Sequence, residues 1–110
     1  MTDMTGFPDY DVVRDDANGR YEARVRGRGP DAGRVIGMLR FREADGVVVM
    51  PSTVTDPAFR GHGVAASLTR AALDDARAAG LRVRPDCWYV DEWIDAHPEY
   101  ADLRASAGGA

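Results

Sequence analysis

The stretch Thr53-Val54-Thr55-Asp56-Pro57-Ala58-Phe59-Arg60-Gly61-His62-Gly63-Val64-Ala65-Ala66-Ser67-Leu68 decides the fold. Val47-Val48-Val49-Met50 begins an apolar run that reads as a buried strand to about Thr55. Asp56-Pro57 and the glycines then turn the chain. From Val64 the period changes: Val64, Leu68, Ala71, Ala72, Ala76 and Ala79 recur at helical spacing, and Gly80 is a suitable stop. The first N–H groups of such a helix lack internal partners, and its dipole adds positive potential there. Gly61 and Gly63 permit dihedrals closed to other residues and close approach of a ligand. Small Ala65 and Ala66 leave the first turn unobstructed. These features predict an anion site suited to a diphosphate, with a plain glycine-rich connection as the alternative. The turn lacks the lysine of a P-loop, and its glycines do not match the dinucleotide fingerprint.

Upstream, the sequence reads as an antiparallel meander. Val12-Val13-Arg14 is a short strand, and Asn18-Gly19 is a two-residue hairpin signal. Tyr21, Ala23 and Val25 alternate with Glu22, Arg24 and Arg26, the period of a half-buried strand. Gly27, Gly29, Pro30 and Gly33 mark a turn region. Val35 to Arg42 is a longer strand with Val35, Leu39 and Phe41 to one side, and Asp45-Gly46 makes the next hairpin. Downstream, Leu81 and Val83 form a short strand, and Trp88 to Ala96 shows a helical face that His97-Pro98 ends. The fold class is therefore α+β: a mostly antiparallel twisted sheet, a strand–helix–strand unit and a C-terminal helix. Residues 1–10 read as a loose, disordered tail, 11–104 as one domain, and 105–110 as a second flexible tail.

Composition narrows the classes. At 110 residues the chain supports one core. No apolar run approaches the roughly 20 residues of a membrane helix. The amino terminus lacks the pattern of a secretory signal. A lone Cys87 excludes an internal disulfide and offers no zinc-site spacing, so no metal is expected and a cytoplasmic protein is. The net charge of −4 argues against a nucleic-acid binder. All fourteen positive side chains are arginine. They are dense from Arg20 to Arg42, where alternation sets several on one exposed strand face. That face reads as solvated, with an acidic-partner surface as the second reading.

Cys87 stands where a strand leads into the last helix, a position that favours a thiolate, while Asp86, Asp91 and Glu92 oppose it. Asp86 is placed to cap that helix. A lone cysteine is more commonly a small packing residue. His62 reads as an exposed loop residue, and Trp93 and Ile94 as core. His97 reads as part of a helix stop, with a catalytic base as the lesser alternative. Tyr89 faces either a reactive centre or the core.

Arg60-Gly61-His62-Gly63-Val64-Ala65 resembles the GNAT acetyltransferase pattern of Gln or Arg, two residues, Gly, one residue, then Gly or Ala. Pro85, Cys87, Tyr89 and His97-Pro98-Glu99-Tyr100 resemble the C-terminal segment of a short subfamily of those proteins. The resemblance runs from about Val12 to Leu103. It implies a minimal GNAT fold in which the backbone of Arg60, Gly61, His62, Gly63, Val64, Ala65 and Ala66 holds the diphosphate of acetyl-CoA. Thr53, Val54 and Thr55 would flank the pantetheine arm, and Cys87 would lie near the thioester as a catalytic acetyl acceptor. The implied activity is N-acetyl transfer to an amine of a small molecule or protein, by a monomer or weak homodimer. A coenzyme A-binding module without turnover is the alternative. One departure matters: relatives often have His-Thr-Glu-Val where this chain has Ser52-Thr53-Val54-Thr55. The glutamate that would serve as general base is replaced by Val54.

Overall fold

A computed structural model describes residues 7–105; residues 1–6 and 106–110 of the expected tails lie outside the described residues. Five strands, β1 (Tyr10–Asp15), β2 (Arg20–Val25), β3 (Val35–Ala44), β4 (Val47–Thr55) and β5 (Arg82–Arg84), form one sheet in sequence order. The first four are antiparallel neighbours, and β5 joins β4 in parallel. Helix α1 (Val64–Ala78) makes the crossover between β4 and β5, and α2 (Trp88–Ala96) follows. Short 3-10 segments occupy Pro57–Phe59 and Pro98–Leu103. Strand β1 begins at Tyr10, and Phe7 packs against the core ahead of it.

Local chemistry explains the turns. Asp45 and Gly46 both take positive φ (53° and 79°) between the paired Ala44 and Val47, the primed turn that a two-residue hairpin needs. Asn18-Gly19 behaves differently. Asp15 pairs with Arg20, so four residues make that loop, and Asn18 donates to the Asp15 carboxylate from its backbone and side-chain nitrogens. At the end of α1, Gly80 has φ 72°, Gly80 N donates to Arg77 O, and Leu81 N donates to Ala76 O, which closes the helix in a Schellman motif.

Helix α1 covers one face of the sheet with Val64, Leu68, Ala72, Leu73 and Ala76, all buried. Tyr21, Ala23, Leu39, Val48 and Val83 meet it from the strands. Two expectations fail, one at strand β3 and one at β2. A bulge between β2 and β3 pairs Ala23 with Gly37 but Arg24 with Val35, so one extra residue breaks the alternation. Ile36 is consequently buried and Val35 exposed, the reverse of the simple period. Glu22, assigned to a solvated face, is 3% exposed because Arg20 and Arg24 lie over its carboxylate. No helix among the described residues is long and apolar enough to cross a membrane.

Candidate functional site

Strand β5 pairs with β4 only over Val47–Val49. Beyond that point β4 has an open edge. Asp56 N donates to Ile36 O, and Val54 pairs with Met38, so alternate residues of this stretch face β3. Thr53 and Thr55 therefore turn their N–H and C=O groups outward from β3. Arg60 Nε reaches the Thr55 carbonyl at 3.4 Å, which confirms the direction. Cys87 N donates to Met50 O at 2.9 Å and holds the start of α2 on the other side of the opening.

The connection into α1 is fixed at three points. Asp56 accepts from Ala58 N (3.0 Å) and from Arg34 (2.8 Å), which together hold its carboxyl below the usual carboxylate range. Phe59 is buried, with the Arg34 guanidinium over its ring. Gly61 and Gly63 take φ 84° and 81°, the left-handed region that costs a side-chain-bearing residue about 1–2 kcal/mol. Gly63 is the N-cap and offers no side-chain acceptor, and the first turn of α1 has no acidic residue. The first intrahelical bond is Ser67 N to Gly63 O, so the amides of Val64, Ala65 and Ala66 have no intrahelical acceptor. With the Arg60 guanidinium nearby, these amides give the surface positive potential.

Gly37 makes the approach possible. A methyl group there would stand 2.8 Å from Val64 Cγ1 and 3.3 Å from Leu68, so β3 runs directly beneath the first turn of α1.

One cleft of about 600 Å³ is lined by Thr53, Val54, Thr55, Arg60, Gly61, Gly63, Val64, Ala65, Trp88 and Tyr89. Eight of the expected binding residues thus converge. Three expected residues stand apart. His62 is exposed and stacks on Phe7 with ring centroids 4.0 Å apart. Ala66 lines a neighbouring depression with Ser67, Arg70, Ala71, Asp74, Trp93 and His97. Cys87 is buried behind the cleft wall, its Sγ 3.7 Å from Thr53 Oγ1. Trp88 and Tyr89 complete the cleft. Trp88 is 70% exposed, although apolar, and Tyr89 lies edge-on to it. Burial, followed by the nearby Cys87, raises the Tyr89 phenol pKa, so it stays protonated at neutral pH.

The remaining residues of the C-terminal segment bind the helices together. Asp86 forks with Arg84 at 3.0 Å instead of capping α2, whose N-cap is Cys87. His97 Nδ1 donates to Trp93 O, and its ring stacks on Trp93 at 3.7 Å. Tyr100 is buried; its hydroxyl donates to Asp74 and accepts from Arg70. Neither His97 nor Tyr100 lines the cleft of Thr53 and Tyr89.

The architecture is that of solved N-acetyltransferases. A GCN5-like protein from Staphylococcus aureus superposes with TM-score 0.63 at 15% identity, covering 87% of this chain and 88% of that one. A GNAT family acetyltransferase from Brucella melitensis, solved with acetyl-CoA, gives TM-score 0.50 at 23% identity over 67% of this chain and 50% of that one. The ribosomal-protein-S18-alanine N-acetyltransferase of Escherichia coli gives 0.54 at 8% over 76% and 54%. These likenesses concern the fold. The family model for GCN5-related N-acetyl-transferases matches residues 20–103, and the chain belongs to that family. It is also 35% identical over 52 residues to protein NATD1 of Bos taurus, covering 47% of this chain and 46% of that protein. The Homo sapiens NATD1 protein matches at 33% over 52 residues. The matched stretch spans about half the length of these relatives.

Proposed function

We propose that the protein is an acetyl-CoA-dependent N-acetyltransferase that works through the cleft between β4 and α2. One observation carries this reading: a free strand edge, a glycine-capped helix start and a half-buried phenol line the same opening. The amides of Gly61 to Ala66 and the Arg60 guanidinium bind the diphosphate. The outward backbone groups of Thr53 and Thr55 bind the amide-bearing arm. Acetyl-CoA held there supplies an acyl thioester for attack by an amine. An N–H of the open β4 edge donates to the oxygen that gains charge in the transition state. Tyr89, neutral at working pH, holds the proton that a departing thiolate requires.

Cys87 sits behind Thr53, so direct attack by the amine is the main route and acetylation of the Cys87 sulfur the second. Pro85, Cys87, Tyr89 and His97 to Tyr100 support assignment to the short branch of the family. We place the protein in the cytoplasm as a monomer or weak homodimer.

Titration calorimetry with acetyl-CoA, followed by a thiol-release assay over small amines and peptides, tests the proposal. Micromolar binding with amine-dependent thiol release is expected. Acetyl mass on Cys87 would establish the covalent route, and full turnover by Cys87→Ala would exclude it. A second reading, coenzyme A binding without turnover, has its own support: among the described residues no carboxylate or imidazole lines the cleft, and exposed Val54 stands where a base would act. Binding without thiol release across the panel would select it.

A further inference from the structure

The face of the sheet opposite α1 is built in rows by the strand register. Val54, Met38 and Glu22 form one row across β4, β3 and β2. Ser52, Arg40 and Arg20 form the next. Beyond the bulge, Arg84, Val49 and Arg42 form a third. Basic rows therefore lie directly beside the Val54 row, which borders the cleft.

Two of these four arginines are occupied, as is Arg24 farther along β2. Arg20 and Arg24 both bind Glu22, and Arg84 binds Asp86. Arg40 and Arg42 differ. Both are exposed, and among the described residues neither makes an ion pair within 4 Å, although Arg42 lies within electrostatic range of Asp86, which Arg84 already binds. Arg40 even stands opposite Arg20 across β2 and β3, a like-charge pairing that costs stability. A protein of net charge −4 thus keeps two guanidinium groups outside any ion pair on one strand face beside its cleft.

We propose that the acceptor is the amine of an acidic peptide, laid in extended form over this face with carboxylates on Arg40 and Arg42. This inference rests on the acetyltransferase reading above. Residues two apart on a strand are separated by about 7 Å, as are alternate residues of an extended peptide. An amine over Val54 therefore places side chains about two and four positions along over Arg40 and Arg42. Guanidinium forks match carboxylates at both places. The exposed Trp88 indole at the cleft mouth offers a face to the incoming ammonium.

The test uses two fluorescent peptides with a free amino terminus, one with glutamate at its third and fifth positions and one with glutamine there. Fluorescence anisotropy measures their binding in the presence of coenzyme A, and thiol release with acetyl-CoA measures transfer. The glutamate peptide should bind about tenfold more tightly, as expected for two exposed ion pairs of a few-fold each. The advantage should vanish at 1 M salt, where the screening length is about 3 Å. Arg40→Gln/Arg42→Gln should abolish it while leaving acetyl-CoA affinity unchanged and without lowering the melting temperature, since a like-charge pairing is removed. Equal binding of the two peptides, or an undiminished preference in the double variant, overturns the proposal. Preferential binding without transfer retains this surface and instead overturns the acetyltransferase reading.

Discussion

Replacing Gly37 by alanine tests whether β3 sets the position of the glycine turn that opens α1. The added methyl would lie 2.8 Å from Val64 Cγ1, with Leu68 Cδ1 and the Val54 carbonyl oxygen each at 3.3 Å. Val64 cannot turn aside, because a β-branched side chain in a helix has one strongly preferred rotamer and this one is 2% exposed. Helix α1 must therefore shift. Such overpacking costs about 1–3 kcal/mol. The opposing gain, from a less flexible unfolded chain, is about 0.4–1 kcal/mol. The clash wins, and melting should fall by about 4–8 °C per kcal/mol of net cost. Calorimetry of Gly37→Ala should thus show a clear loss and weaker acetyl-CoA binding. Gly29→Ala, where a methyl meets nothing within 4 Å, should show neither. Adding Val64→Ala removes the clashing atom, so the double variant should be more stable than the sum of the singles requires, by about 1–2 kcal/mol. Unchanged melting in Gly37→Ala, or strict additivity with Val64→Ala, would refute the reasoning.

Gly63→Ala adds no clash but must hold φ near 81°, so it should lose about 1–2 kcal/mol in denaturant unfolding and bind acetyl-CoA less well. An unaltered midpoint would contradict the strained cap. Glu22, held down first by Arg24 and then by Arg20, has a folded pKa below its unfolded value. Its contribution is therefore present above the unfolded pKa of about 4.3 and lost as pH falls through the folded one. Glu22→Gln should melt below wild type at pH 7, with the gap closing below about pH 4; a pH-independent gap would disprove the pairing. Tyr89→Phe should lower kcat more than it raises KM. An unchanged kcat in the thiol-release assay would remove Tyr89 as proton donor.

Much of this was written locally in the chain. The run from Val47 to Leu68 carries its own strand, turn and helix signals, because period, glycine placement and helix termination depend on neighbours within a few residues. Hence β4, α1 and α2 lie where periodicity puts them, and eight expected binding residues meet in one cleft. Asn18-Gly19 was less informative, since Asp15 captured the asparagine and lengthened the loop. The burial of Glu22, the inversion of Val35 and Ile36, the Asp86–Arg84 pair and the withdrawal of Cys87 behind Thr53 depended on contacts between distant strands and helices. The same holds for Trp88 and Tyr89, whose helix reaches the cleft only because β5 stops at Arg84 and leaves the β4 edge open. Sequence by itself determined the elements and the glycine turn that opens α1, through short-range dihedral and periodic constraints. Tertiary structure decided which side chains share the opening, because a strand bulge and a truncated strand pairing act on residues far apart in the chain.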